Sequence, residues 1–374
     1  MGRKINNMID KELFTIGVEE EFMICNPDTY ELSSKANNIM DYLSNTKEKD
    51  RFSYELLLGE IEANTPICSN VSHAMEEVSK NRRRLRDIGH ILDFKIGMSG
   101  THPTAIPNEQ EFVNNKSYNW VKSQLNEYAR ENITFSTHVH IGLNNNEDII
   151  RTTNIANGWI APFLALSVNS PFFSAKNTGM LSARTFQFGT FPRTNVLHKL
   201  SSYNDFKIMV EKLKISEAIE KPRHLWWKIR PHIEFSTVEF RICDVQRSLV
   251  RTEMLVAFTQ ALVHRIYCDI KDGKIFLDYN MEFVNDGIWK AARSGLNSNI
   301  ISPINEKNIT MIEMVYTLLE YIRPSLVYFG TEKNIEIAQN IIDGRTEAVE
   351  QLDMFDKYGF EGLNSFLVNS VQYE

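Results

Sequence analysis

Three short stretches of the chain place ionisable side chains two residues apart within otherwise apolar runs. They contain two glutamates, two histidines, and a glutamate with an arginine: Glu19 and Glu21, His138 and His140, and Glu239 and Arg241. Mg²⁺ and Mn²⁺ prefer carboxylate oxygens, imidazole suits Mn²⁺, and a guanidinium binds phosphate or carboxylate through two hydrogen bonds. Ionised side chains are costly to bury unless they are paired or bound to a metal. The pattern therefore predicts a site that cations and anionic ligands complete, equipped for phosphoryl transfer.

A further acidic stretch, LLLGEIEANTP at 56–66, adds Glu62 as an oxygen ligand. Glu55 lies seven residues earlier, so strict strand alternation places these two side chains on opposite faces. Both reach one site only if the strand bulges, for example at Gly59. Glu60 shares the parity of Glu62 and is the alternative to Glu55.

Each pattern also has a purely structural interpretation. A Glu-x-Glu pair can be the solvated face of a strand, histidines can be satisfied by hydrogen bonds in the core, and Glu239 and Arg241 can pair with neighbouring strands. Three such pairs, each on a strand with an apolar opposite face, favour the functional interpretation. The chain lacks the sequence G-x-x-x-x-G-K-[ST], which excludes a P-loop enzyme.

Strands are the elements that can position these pairs. Alternate residues of a β-strand point to the same face, so each stretch can bury its apolar residues and present its ionisable pair. Glu20 alternates with Glu19 and Glu21, so it is expected on the apolar face and needs a partner there. The predicted strands are 15–24, 54–64, 94–99, 133–143 and 235–243. The predicted helices are 72–92, 147–170, 245–269, 308–321 and 333–343.

The order of these elements predicts an α+β fold. Strands do not alternate regularly with helices, and long irregular stretches at 97–119 and 171–200 separate several of them. This favours a largely antiparallel sheet, with helices on one face and a cleft on the other. The 374 residues are 43 % hydrophobic and 24 % charged and contain no linker or repeat, so one domain spanning 1–374 is predicted.

Charge and hydropathy limit the partners and the compartment. The formal net charge of −7 gives no general attraction for nucleic acid. A local basic cluster is interpreted as the solvated face of a helix: Arg82, Arg83, Arg84 and Arg86. The longest nearly apolar stretch, 158–168, is too short to cross a bilayer and predicts a buried helix. No hydrophobic signal segment follows Arg3 and Lys4, and the four cysteines lack a C-x-x-C spacing, so we expect a cytoplasmic protein with reduced thiols.

An ordered set of motifs resembles the type 2 glutamate–cysteine ligase family. The motifs are GVEEEF (17–22), EANTP (62–66), GTHP (100–103), HVHIG (138–142), WKIRP (227–231), TVEFRICD (237–244) and WKAARSGL (289–296). Each motif alone is weak, but the ordered set is specific and runs from about residue 14 to 296. The resemblance implies an ATP-dependent carboxylate–amine ligase. It also implies a single domain similar to the catalytic domain of glutamine synthetase, with a curved, mainly antiparallel sheet.

The resemblance further implies ATP and Mg²⁺ or Mn²⁺ as cofactors, and an acyl phosphate formed from the γ-carboxylate of glutamate and captured by an amine such as cysteine. By motif position, the metal-ligand candidates are Glu19, Glu21, Glu62, His138 and Glu239, with Glu55 a weaker one. Arg241 is expected to neutralise phosphate. Arg184 and Arg230 match positions that hold nucleotide phosphates or the substrate carboxylate, and His140 is expected to orient a phosphate or a neighbouring ligand.

The amine acceptor stays open at this level. Its selection depends on side chains of the irregular stretches 100–119 and 171–200, and His102 and Trp227 are expected in the cleft wall. Another amino acid or a small amine is the alternative acceptor. A small-molecule kinase of the same fold and a non-catalytic ATP-binding protein are the alternative functions. We expect a homodimer or other homo-oligomer.

Overall fold

The computed structural model describes residues 13–276 and 278–374. Its strands are β1 (Ile16–Cys25), β2 (Phe52–Tyr54), β3 (Glu60–Asn64), β4 (Lys95–Gly97), β5 (Thr137–Gly142), β6 (Phe172–Phe173), β7 (Lys176–Asn177), β8 (Ile229–His232), β9 (Thr237–Phe240), β10 (Asn299–Ile301) and β11 (Asn308–Thr310). Its helices are α1 (Ala36–Ser44), α2 (Val71–Leu92), α3 (Lys116–Leu125), α4 (Asn146–Ala156), α5 (Ile160–Ser167), α6 (Arg184–Gly189), α7 (Tyr203–Ile215), α8 (Leu249–Lys271), α9 (Met281–Ser294), α10 (Met311–Phe329), α11 (Asn334–Asp343) and α12 (Glu347–Asn369).

The main sheet joins seven strands in the order β2-β3-β1-β5-β9-β8, with β4 also paired to β1. Every pairing in it is antiparallel. Along one side of β1, the strand pairs with β5 over Ile16–Glu20 and with β4 over Met23–Cys25. The predicted α+β fold with a largely antiparallel sheet is confirmed.

The sheet buries its apolar face against helices. Ile16 and Val18 of β1 are almost fully buried there. The same hydrophobic cluster contains residues of β5, β9 and α8: Val139, Ile141, Val238, Phe240, Leu255, Phe258 and Leu262. This packing fixes the sheet and leaves its other face for the ionisable pairs. Among the residues described, no helix has the length and apolar character that crossing a membrane requires.

Glu20 finds its partner on the apolar face in Arg82 of α2. The Arg82 guanidinium is 0 % exposed, and its Nε donates to Glu20 Oε2 at 2.9 Å. It also donates to the backbone oxygens of Gln246, Arg247 and Gln372, at 2.9, 2.9 and 3.0 Å respectively. The interpretation of the arginine cluster as a solvated face is therefore wrong for Arg82, because a carboxylate and several carbonyls replace water around it.

Two predicted elements are divided in the structure. The strand predicted at 54–64 is interrupted, because residues 55–59 leave β3 and bond to a neighbouring segment. Leu58 N donates to Glu111 O at 2.8 Å, and Val113 N donates to Leu56 O at 3.0 Å. The helix predicted at 147–170 is two helices, α4 and α5, separated by a 3₁₀ turn over Asn157–Trp159.

The other predicted helices correspond to α2, α8, α10 and α11. The remaining predicted strands correspond to β1, β4, β5 and β9, although β5 begins at 137, four residues later than predicted. The helices α1, α3, α6, α7, α9 and α12 were not predicted.

Candidate active site

The register of the central strands places the predicted ionisable pairs on one face of the sheet, which we call the site face. Directly opposed residues of an antiparallel pair project to the same side. The opposed pairs are Glu19 with His138, Glu21 with Glu62, His140 with Glu239, and Arg230 with Glu239. Most of these side chains are buried, with His138 1 % and Glu239 0 % exposed.

A first cluster of metal-ligand type contains Glu19, His138 and Glu239, whose ligand atoms lie within 4.8 Å of one another. His138 Nδ1 is 2.9 Å from Glu19 Oε2. His140 Nε2 lies 3.2 Å from Glu19 Oε1 and 3.7 Å from Glu239 Oε1. Burial raises the pKa of Glu19, but the charges and hydrogen bonds of the two histidines outweigh it and hold that pKa well below its usual range. The Glu19 carboxylate is therefore ionised at neutral pH.

A second cluster contains Glu21, Glu62 and the same His138, again with ligand atoms within 4.8 Å. Glu21 Oε2 accepts hydrogen bonds from the backbone nitrogen of Ser136 at 2.6 Å and from its hydroxyl at 2.7 Å. Burial, with repulsion from Glu19 and Glu21, raises the pKa of Glu62 to about 8. A divalent cation between these carboxylates would relieve that repulsion.

Two arginines hold Glu239 on the site face. Arg230 bonds to both carboxylate oxygens, with Nη2 at 2.9 Å from Oε1. Arg241 Nη1 also bonds to Glu239 and lies 3.2 Å from His138 Nδ1. Burial raises the pKa of Glu239, but the charges of Arg230 and Arg241 outweigh it and push that pKa far below its usual range. The other terminal nitrogen of Arg230 donates to two backbone oxygens in the segment before β8.

Glu55 and Glu60 both reach the acidic end of the site face. Glu55 lies in the interruption between β2 and β3 and lines the same pocket as Glu21. Glu60, at the start of β3, is 1 % exposed, and among the described residues its Oε1 has no hydrogen-bond partner. Burial and the neighbouring carboxylates raise the pKa of each well above its usual range. The strand ends before Glu55, so alternation no longer constrains it and no bulge at Gly59 is required.

A pocket of about 90 Å³ adjoins the second cluster. The aromatic part of its wall comes from the segments around α3, α6 and β8: Tyr118, Phe188, Phe191 and Trp226. The polar lining includes Glu21, Ser136 and Arg241. The two irregular stretches that the sequence indicated, 97–119 and 171–200, therefore do contribute to the wall of a small pocket beside the acidic cluster.

Arg184 lines this pocket and is 4 % exposed. Its terminal nitrogens donate to the backbone oxygens of Ile242 at 3.1 Å and Arg241 at 2.9 Å. Burial lowers the pKa of Arg184, and the charge of Asp244 opposes that effect. Arg184 thus braces the chain after β9, and its contact with a phosphate or a carboxylate stays a prediction.

Trp226, rather than Trp227, faces the pocket. Trp227 is buried in a separate apolar cluster, 6.5 Å from Phe206 between ring centroids. The prediction for Trp227 is wrong because even-numbered residues of this strand face the site, as Arg230 does. His102 is also outside this pocket wall, with Nε2 3.0 Å from the backbone oxygen of Tyr30.

Lys228 was not selected from the sequence, although its backbone oxygen accepts a hydrogen bond from Arg241 N at 2.9 Å and continues the β8–β9 pairing, so strand parity places it on the side of Arg230. It lies two residues from Arg230 in WKIRP, and this spacing is the signal that could have found it. A larger cavity, of about 800 Å³, lies elsewhere, between α4, α9 and α10. Its walls are mainly apolar, with Trp159, Tyr279 and Tyr321, and none of its described residues belongs to a cluster of metal-ligand type. The candidate site therefore consists of the small pocket and the two clusters.

Comparison with solved structures defines the class of fold. Glutamate–cysteine ligase from Francisella tularensis, solved in complex with AMP, matches with a TM-score of 0.72 at 12 % identity, covering 96 % of this chain and 88 % of that chain. A bifunctional glutathione synthetase from Pasteurella multocida matches with a TM-score of 0.65 at 12 % identity, covering 96 % of this chain and 52 % of that chain. The chain therefore has the α+β fold of these ligases.

The sequence comparisons then define the family. The family model described as glutamate-cysteine ligase family 2 matches residues 15–368. A protein of Chloroflexus aggregans with the name "Putative glutamate--cysteine ligase 2" is 32 % identical over 342 residues, which cover 91 % of this chain and 87 % of that protein. The chain belongs to glutamate–cysteine ligase family 2 and is a ligase, as its motifs predicted.

Proposed function

We propose that this ligase is ATP-dependent and joins the γ-carboxylate of glutamate to an amino group, with cysteine as the first acceptor to test. The observation that carries the proposal is the convergence on one sheet face of two carboxylate–imidazole clusters and a pair of arginines beside a small pocket. Such groups position reactants and neutralise charge at a phosphoryl group, and they need no protein nucleophile. Membership of the family supports the assignment of ligase activity.

The reaction has two steps in this proposal. A γ-carboxylate oxygen of glutamate attacks the γ-phosphorus of ATP, and the bond from that phosphorus to the bridging oxygen of ADP breaks. The acceptor amine then attacks the acyl carbon of the resulting acyl phosphate, the bond to the phosphate oxygen breaks, and a proton leaves the nitrogen. The products are an amide, ADP and phosphate. The protein accelerates both steps by holding the reactants in line.

The two clusters fit divalent cations, because each offers two carboxylates and one imidazole in a buried setting. The residues assigned to cation binding are Glu19, His138 and Glu239 in one cluster, and Glu21, Glu62 and His138 in the other, with Glu55 beside it. Mg²⁺ or Mn²⁺, when bound, neutralises charge on the phosphates of ATP.

The basic residues of the site have separate tasks in this proposal. Arg241 faces the pocket and neutralises the transferred phosphoryl group. Arg184, on the pocket wall, contacts a phosphate or a carboxylate through its Nε, which has no hydrogen-bond partner among the described residues. Arg230 and His140 touch Glu239 and position it, so their effect on nucleotide binding is exerted through that carboxylate.

The test is ADP release by the purified protein with ATP and Mg²⁺ or Mn²⁺, comparing glutamate alone with glutamate plus each member of an amine panel led by cysteine. Product mass is read in the same samples. We expect ADP release that depends on the amine, with a condensed product of matching mass. ADP release without an amine, accompanied by a phosphorylated product, would instead identify a kinase. Metal-dependent ATP binding without turnover across the panel would identify a binding protein.

A further inference from the structure

The hairpin between β8 and β9 continues the site face beyond the first cluster. Arg230 and Glu239 are opposed in its ladder, and the next opposed pair that projects to the same side is His232 with Thr237. His140 Nδ1 lies 2.9 Å from Thr237 Oγ1. The site face therefore runs past the metal-ligand side chains to the turn that joins these two strands.

Phe235 lies in this turn and presents an exposed aromatic ring at the margin of the site face. Its ring is stacked on the imidazole of His232, with centroids 4.2 Å apart and planes inclined by 9°. The Phe235 centroid is 5.9 Å from that of His140. Phe235 is 64 % exposed, so the ring face that points away from His232 is open to solvent. The ring thus has one supported face and one open face beside an imidazole of the site.

Hydrogen bonds hold the turn and the ring in place. The backbone nitrogen of Phe235 donates to His232 Nδ1 at 3.3 Å. Burial, with the charge of Arg230, lowers the pKa of His232 to about 4, so this imidazole is neutral at neutral pH and can accept that bond. Ser236 O accepts a hydrogen bond from Leu143 N at 2.9 Å, which ties the turn to the end of β5. An isolated exposed apolar side chain needs no functional explanation, but a ring fixed in this way is preorganised to bind a flat partner.

The two ends of the site face offer different amounts of room. At one end, Arg241 lines the pocket of about 90 Å³, which is well below the roughly 300 Å³ at which pockets begin to hold drug-sized ligands. That end is too small for a nucleoside. Thr237, at the hairpin end, lies four residues from Arg241, or roughly 13 Å along the strand. A nucleotide whose terminal phosphate lies at the clusters therefore extends towards the hairpin, where its base meets Phe235.

We propose that Phe235, supported by His232, is the stacking surface for the base of the nucleotide, with the phosphates lying over the first cluster. This inference rests on the proposed ATP-dependent function and assigns the base subsite of the same site. Aromatic side chains stack on any base, because every base has a π-face. Removing such a ring is expected to weaken binding about 5- to 100-fold.

The test compares a ligand that has a base with one that lacks it. The first ligand is adenylyl imidodiphosphate, an ATP analogue that is not hydrolysed, and the second is inorganic tripolyphosphate. Each is titrated calorimetrically, with Mg²⁺, into the wild type, Phe235→Ala and Phe235→Trp. The control is Tyr358→Ala, because Tyr358 of α12 is 53 % exposed and lies in neither cluster nor the small pocket.

We expect Phe235→Ala to weaken binding of the ATP analogue about 5- to 100-fold and to leave that of tripolyphosphate within about twofold. Phe235→Trp should keep the affinity, and the fluorescence that it adds should be quenched by the analogue but not by tripolyphosphate. Tyr358→Ala should bind both ligands as the wild type does. Unchanged affinity of Phe235→Ala for the analogue, or an equal loss of affinity for tripolyphosphate, would overturn the proposal.

These titrations require no turnover, so they separate this inference from the proposed ligase reaction. If Phe235→Ala loses affinity for the analogue and the wild type forms no condensed product, the assignment of Phe235 stands and the ligase proposal alone fails. If the wild type forms the product but binds the analogue no more tightly than Phe235→Ala, the assignment of Phe235 alone is refuted. A wild type that binds no nucleotide would refute both.

Discussion

Replacing Arg82 with methionine should destabilise the protein severely. The change removes the buried partner of Glu20 and leaves three backbone oxygens without their donor. Breaking a buried ion pair by removing one partner costs about 3–5 kcal/mol, and each carbonyl without a donor adds roughly 1 kcal/mol. The expected loss is therefore about 6–8 kcal/mol, a large part of the 5–15 kcal/mol that is typical for a domain.

The assay is urea denaturation followed by tryptophan fluorescence and circular dichroism, with refolding checked at each condition. The double variant Glu20→Met with Arg82→Met should recover part of the loss, because an apolar pair leaves no uncompensated charge. Arg86→Met is the control, since its ion pair with Asp87 is exposed on the same helix, and it should change stability by less than about 0.5 kcal/mol. A wild-type denaturation midpoint for Arg82→Met would refute the reasoning.

Three other outcomes follow from the described contacts. Glu21→Gln should keep the fold but lose most turnover, because it removes a charged ligand while nearly preserving volume, and it should also weaken the rise in melting temperature on adding Mn²⁺. Arg241→Lys should lower kcat at least tenfold, because a point charge cannot serve both Glu239 and the pocket, and near-wild-type kinetics would make Arg241 structural. Burial, with the charge of Arg265, lowers the pKa of His264 to about 4 from 6.5. As the pH falls from 6.5 towards 4, His264 is protonated in the unfolded chain before it is protonated in the native protein, so the native state loses stability in that window. His264→Gln should lose less stability than the wild type between pH 7 and pH 5 in urea titrations.

The site face was predictable because its signal is local. A spacing of two within apolar runs specifies the face of a strand, and the register of β1, β3, β5 and β9 brings those faces together as expected. The same rule explains the error at Trp227, since counting from Arg230 would have selected Trp226 and Lys228. The sequence was sufficient to select these two residues, but the prediction of Trp227 did not follow the alternation of side chains along the strand.

The remaining features depend on contacts between distant segments. Arg82 has the spacing of an exposed arginine in a charged helix, and its burial depends on Glu20 and on backbone oxygens near residues 246 and 372. The interruption after β2 depends on hydrogen bonds to residues 111–113, which no local pattern encodes. The prediction of a single domain over 1–374 and that of a homo-oligomer stay predictions.

The three consecutive glutamates of β1 make its sequence ambiguous about which of them should face the cleft. A slip of one residue against β3 and β5 would turn Glu20 towards the cleft and Glu19 and Glu21 towards the apolar face. A single guanidinium, that of Arg82, could then neutralise only one of two buried carboxylates, and the slipped pairing would carry an uncompensated charge. The same slip would turn Ile16 and Val18 away from the helices, so the apolar pattern and the number of buried carboxylates both favour the observed register. Side chains that never touch the cleft thus decide which carboxylates the cleft receives.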